Sequence, residues 1–248
     1  MQKRVSKVVL GMMMLLMAVS VQAAGKSLTL VGDTWPPYVD RNLPEYGMAT
    51  EIVTTAMKRS GYDANIKIEN WLRVLEGGEL GFFDGIVAAW KTPEREEKFV
   101  FSNPYYRNKV VLVKNKVSDF KFGEVMTAQG LVAGYVEGYA YNEKIKKPGN
   151  IILVPSNHVL QNMLKLQNGQ IDLTLGDEGV IRHLIKEYFS NTMDDFVLDT
   201  EAFSERNLYL MVSKLNPQHA KIIEAFNAEL VKMKKDGTYD AIVERHMK

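Results

Sequence analysis

The chain contains no cysteine in 248 residues, which excludes a disulfide framework and a lipid-modified cysteine anchor. Its four histidines, His158, His183, His219 and His246, are scattered without metal-ligand spacing and read as surface or helix-packing residues. Neither a G-x-S-x-G turn nor a phosphate-cradling glycine loop occurs, so hydrolase and nucleotide-binding readings have no site. No cofactor and no metal is expected. Long apolar runs are missing as well, with one exception. Lys3, Arg4 and Lys7 precede an apolar stretch from Val8 to Val21 that ends in Val-Gln-Ala. A basic start, a core shorter than the roughly 20 residues that span a bilayer, and small residues at its end predict a secretory signal peptide over residues 1–23. Without its three cations the rest of the chain carries 28 basic against 30 acidic side chains, too balanced for a nucleic-acid footprint. An exported, soluble, unanchored protein is expected in the periplasm of a Gram-negative cell.

What is present is ordinary in composition, 46% apolar and 25% charged, and long enough for one large domain or two small ones. Leu28, Leu30 and Val31 mark a short strand running into Gly32-Asp33-Thr34-Trp35. A helix follows, with Met48, Ile52, Val53, Ala56 and Met57 on one stripe and Gly61 as its stop. Ile66 and Ile68 indicate a second strand, residues 71–80 a second helix with Leu72, Leu75 and Leu80 inward, and Ile86 to Ala89 a third strand. This alternation is the doubly wound pattern, whose ligand crevice lies beyond the carboxyl ends of the strands. Trp35, Trp71 and Trp90 each follow one of these strands. Singly each reads as a packing aromatic; together they predict an aromatic-lined cleft that covers an apolar ligand body or stacks on a cation.

The pattern restarts at Leu131 to Gly134, with a loop and helix over 138–146, a strand from Ile151 to Val154, a helix with Val159, Met163, Leu164 and Leu166 inward, and a strand from Ile171 to Leu175. Asp177 stands where that strand meets a helix, a position suited to an N-cap. Leu208 to Val212 is a further strand, and two helices finish the chain, one running to Lys235 and one carrying Ile242 and Val243.

The most informative stretch is Asp84 to Tyr106, DGIVAAWKTPEREEKFVFSNPYY. Here a buried strand gives way to Thr92-Pro93-Glu94: an N-cap, a proline at the first helical position and an acid in the first turn. Arg95 comes next, where the helix dipole disfavours a cation by roughly 0.3–1 kcal/mol. An anion should sit beside it. Either Glu94, Glu96 or Glu97 neutralises it on a solvated surface, or it receives a ligand carboxylate held bidentately.

T-P-E-R followed by F-S-x-P-Y-Y, with K-x-D-G-T-Y-x-x-I at the carboxyl end, resembles the family-3 periplasmic solute-binding proteins that capture polar amino acids for ABC importers. The resemblance implies an α/β, type II periplasmic-binding-protein fold, two doubly wound lobes joined by two crossing strands. Lobe 1 would comprise residues 24–113 and 209–248, and lobe 2 residues 114–208. It further implies that Arg95 grips the α-carboxylate of a ligand and that Asp177 holds its α-ammonium, a role compatible with capping. Trp35, Trp71, Trp90, Glu137 and Gly138 complete the expected ligand-binding set. Trp90 and Glu137 depart from the family, which commonly has a small or hydroxyl residue at each. An unpaired Glu137 beside a ligand carboxylate would repel it, so either Glu137 points away or the ligand carries a positive group. The expected function is a non-enzymatic, monomeric binding protein that closes on an amino acid-like small molecule and serves a membrane permease. Delivery to a membrane receptor, or dehydratase-like proton transfer by Asp33, Glu137 or Glu178, are the alternatives.

Overall fold

The computed structural model describes residues 26–141, 145 and 151–247. The expected signal peptide and the helix expected before Lys146 lie outside the described residues. The first half alternates as its sequence periods require: β1 (Lys26–Gly32), α1 (Met48–Arg59), β2 (Tyr62–Ile68), α2 (Trp71–Glu79) and β3 (Gly85–Trp90). β1 lies between β2 and β3 and runs parallel to both. Every residue of β3 is buried, as expected for a strand covered on two faces. After α3 (Pro93–Lys98) and β4 (Phe99–Phe101), β5 (Tyr106–Asn115) carries the chain into a second half. That half holds β6 (Leu131–Val136), β7 (Ile151–Ser156), α4 (Val159–Gln167), β8 (Leu173–Asp177), α5 (Glu178–Tyr188) and β9 (Phe196–Leu198). β10 (Ser204–Ser213) returns to the first half, which α6 (His219–Lys235) and α7 (Thr238–Met247) complete.

One hydrogen-bonded ladder runs through both halves in the order β2-β1-β3-β10-β5-β8-β6-β7. At its centre Tyr106 to Val110 of β5 pair antiparallel with Ser204 to Leu208 of β10. From Val110 onward β5 pairs with β8, and from Leu208 onward β10 pairs with β3. Each crossing strand therefore starts in the seam and ends inside one lobe. The pairing of β5 with β8 begins at Val110, opposite Asp177.

Two expected helix faces are corrected. In α2 the buried positions are Trp71, Val74, Gly77 and Gly78, while Leu72 and Leu80 are exposed. The glycines make a flat strip on which rings lie: a Cβ on Gly77 would come within 2.4 Å of the Phe83 ring, and one on Gly78 within 2.9 Å of the Phe99 ring. In α4, Leu164 is exposed and Asn162 is buried in its place. The carboxyl end is fastened by Glu51 of α1, which accepts from Arg245 at 2.8 Å and pairs with a ring nitrogen of His246 at 2.7 Å. His246 is thus a buried clasp.

Candidate functional site

The strand ends of both halves meet in a narrow cleft. Trp35, Trp71 and Trp90 are all buried there, and the rings of Trp35 and Trp90 meet edge-on with centroids 5.6 Å apart. Trp90 is fixed by its indole N–H, which donates to Asn108 Oδ1 at 2.9 Å. Arg95 occupies the first turn of α3, whose N-cap Thr92 accepts from the Arg95 amide at 3.2 Å. Its guanidinium lies 4.9 Å over the Trp71 ring, a cation–π contact in a desolvated setting. One Nη donates to the Trp90 carbonyl at 2.5 Å, and the other crosses the cleft to the Gly138 carbonyl at 2.9 Å. Burial lowers Arg95 to about 10 against the raising influence of Tyr139, Glu94 and Glu79, so it stays charged at neutral pH.

The opposite wall comes from the loop after β6. Gly138 sits at φ +76°, and its carbonyl accepts from Trp71 Nε1 as well as from Arg95. A Cβ there would lie 2.8 Å from Leu72 Cδ2, so both backbone angle and space require glycine. Tyr139 projects from this loop into the middle of the three tryptophans, at centroid distances of 6.4, 5.6 and 6.0 Å from Trp35, Trp71 and Trp90. Its hydroxyl donates to Asp33 Oδ2 at 2.8 Å. Asp33 follows β1, is buried, and leaves Oδ1 without a well-formed hydrogen bond. His158 Nδ1 stands 3.7 Å away. Burial raises Asp33 to about 7 despite the lowering influence of the Tyr139 hydroxyl and the Thr34 amide.

Asp177, at the end of β8, caps α5 by accepting from the Val180 amide at 3.1 Å, and accepts the Tyr38 hydroxyl across the cleft at 2.7 Å. Burial raises it to about 6. The cavity that remains is lined by Asp33, Trp35, Trp71, Trp90, Arg95 and Tyr139 among others, and has a volume of about 30 Å³. That is space for one or two waters. The cleft is therefore shut, filled by its own side chains and bonded across its two walls.

Trp35, Trp71, Trp90, Arg95 and Gly138 are brought together. Asp177 lies behind Tyr38 and does not line the cavity. Glu137 is corrected: its side chain is exposed and lines a separate open groove with Ser156 and Lys165, because its amide is pinned to the Ser156 carbonyl at 3.0 Å. His158 stands at the N-cap of α4, partly exposed, with its ring edge turned toward Asp33. Tyr38, Asn108 and Tyr139 were absent from the expected binding set, as was Asp33, although its place at a strand's carboxyl end is the signal that finds it.

Residues 29–248 match the family described as bacterial extracellular solute-binding proteins, family 3. The chain belongs to that family. This solute-binding protein is 32% identical to the putative ABC transporter arginine-binding protein 2 of Escherichia coli (strain K12) over 153 residues, a match spanning 61% of this chain and 60% of the relative. It is 23% identical to ABC transporter arginine-binding protein 1 of the same organism, across 95% of this chain and 96% of the relative. Among solved structures, an ancestral arginine-binding protein bound to arginine superposes with a TM-score of 0.78 at 24% identity, covering 91% of this chain and all of the other. A histidine kinase sensor domain with similarity to periplasmic binding proteins superposes with a TM-score of 0.79 at 16% identity, covering 90% of this chain and 97% of the other. The solute-binding protein thus shares its two-lobed α/β fold with transport and sensing proteins alike.

Proposed function

We propose that this protein works as a periplasmic monomer that traps an amino acid, or a related small zwitterion, between its lobes and presents the shut form to an ABC importer. Arg95 takes the α-carboxylate and Asp177 the α-ammonium. The observation that carries this reading is the state of Arg95: a buried guanidinium, 4.9 Å over the Trp71 ring, that bridges the halves through the carbonyls of Trp90 and Gly138. Carbonyls are weaker partners than a carboxylate, so an arriving anion can take over from them. Opening the cleft releases both recognition groups together, since Gly138 leaves Arg95 and Tyr38 leaves Asp177 as the lobes part. The lobes change over within the paired stretch of Tyr106–Val110 and Ser204–Leu208. Relatives named as ABC transporter arginine-binding proteins support an importer as the partner. They also support a binding role over catalysis.

Isothermal calorimetry with a panel of amino acids, on protein stripped of bound small molecules, tests this. Arg95→Ala should weaken binding by about 3–5 kcal/mol, because it leaves the ligand carboxylate buried without a partner. Equal affinity in the wild type and in Arg95→Ala would remove Arg95 from the site.

A further inference from the structure

The loop that closes the cleft presents two groups of opposite hydrogen-bonding sense, one residue apart. The Gly138 carbonyl gives Arg95 an acceptor, and the Tyr139 hydroxyl gives Asp33 a donor. Between them the phenol ring fills the space bounded by the three tryptophans. This is the polarity of a ligand that has a carboxylate at one end, an apolar stem, and a cation at the other. We propose that Gly138-Tyr139 is a built-in stand-in for such a ligand, and that an amino acid with a cationic side-chain end displaces Tyr139 from Asp33. The inference rests on the amino-acid reading above and adds to it a subsite and the residue that guards it.

The imitation is incomplete, and the gap identifies the true occupant. A phenol has one O–H, so it satisfies Oδ2 of Asp33 and leaves Oδ1 unmet. A guanidinium or ammonium carries several donors and can meet both oxygens. The groups facing Asp33 are the Tyr139 hydroxyl, the Thr34 amide and His158, and burial drives His158 toward its neutral form. No cation on these neighbours balances an ionised Asp33, so a cationic ligand end brings the missing charge. The aromatic faces left by Tyr139 then cover its stem and stack on its charge.

Two measurements decide the matter. X-ray scattering on ligand-free protein compares the wild type with Tyr139→Phe and Tyr139→Ala. The wild type should be compact and Tyr139→Ala expanded, with Tyr139→Phe between them. Equal dimensions in all three would overturn the stand-in role, whatever the ligand proves to be. Calorimetry then compares L-arginine with L-citrulline, which has the same shape without the charge. The wild type should prefer L-arginine at least a hundredfold, Asp33→Asn should lose most of that preference, and Tyr139→Phe should bind L-arginine about tenfold tighter, because a competitor for Asp33 is gone. Unchanged or weaker L-arginine binding by Tyr139→Phe, or an undiminished preference in Asp33→Asn, overturns the proposal. Should no amino acid bind any form, the functional reading and the Asp33 cation subsite both fail, and the scattering arm still decides the stand-in role.

Discussion

Raising the pH should open the empty protein, and Asp33 sets the size of the effect. In the shut form burial holds its carboxyl at about 7, against 3.8 when it is free in water. Below about pH 4 it is protonated whether the cleft is shut or open, and contributes nothing to the balance. Above pH 7 it is ionised in both, and the shut form bears the full cost of a desolvated charge. Closure is therefore favoured in acid and lost as pH rises through the interval between those values. From pH 5 to pH 8 the shut-to-open ratio should fall by close to a hundredfold, about 2.7 kcal/mol, if Asp33 is fully rehydrated on opening. Asp177, raised to about 6 by burial, adds a smaller change of the same sign. Tryptophan emission reports closure, because three indoles are buried in the cleft. The ligand-free wild type should shift to the red between pH 5 and pH 8, and Asp33→Asn should keep only the part due to Asp177, about tenfold in the shut-to-open ratio. A pH-independent wild type, or an equal shift in Asp33→Asn, refutes the reasoning.

Two further outcomes follow from residues outside this titration. Gly138→Ala introduces a Cβ at φ +76° and 2.8 Å from Leu72, at a backbone cost of about 1–2 kcal/mol; it should red-shift the tryptophan emission of ligand-free protein at pH 5, and an unchanged spectrum would show that the loop does not need glycine. Glu51→Ala unfastens the last helix from α1 and should lower urea stability by about 2 kcal/mol, most of it through buried His246, since Arg245 is half exposed and its charge is screened.

Much of this architecture was legible because strands and helices announce themselves locally. The apolar run at Ile86 to Ala89 and the Thr92-Pro93-Glu94 start give β3 and α3 where expected. The tryptophans converge because all three follow strands of one parallel set. The inward face of α2 was misread because leucine spacing is a local signal, whereas the rings that select Gly77 and Gly78 arrive from later in the chain, Phe83 from the bend before β3 and Phe99 from β4. The site was half visible for the same reason. Tyr139 and Asp33 are 106 residues apart and Tyr38 and Asp177 are 139 apart, and neither pairing leaves a mark in local composition. Glu137 entered the expected set through the family position it occupies, with an outward side chain left open as one alternative, and its side chain is exposed.

Asn108 lies in the short paired stretch of the crossing strands, opposite Arg206, and the same side chain accepts the Trp90 indole. The pivot and the pocket thus share a part. A bend at the seam moves the indole's acceptor, and a tilt of the indole pulls on the seam.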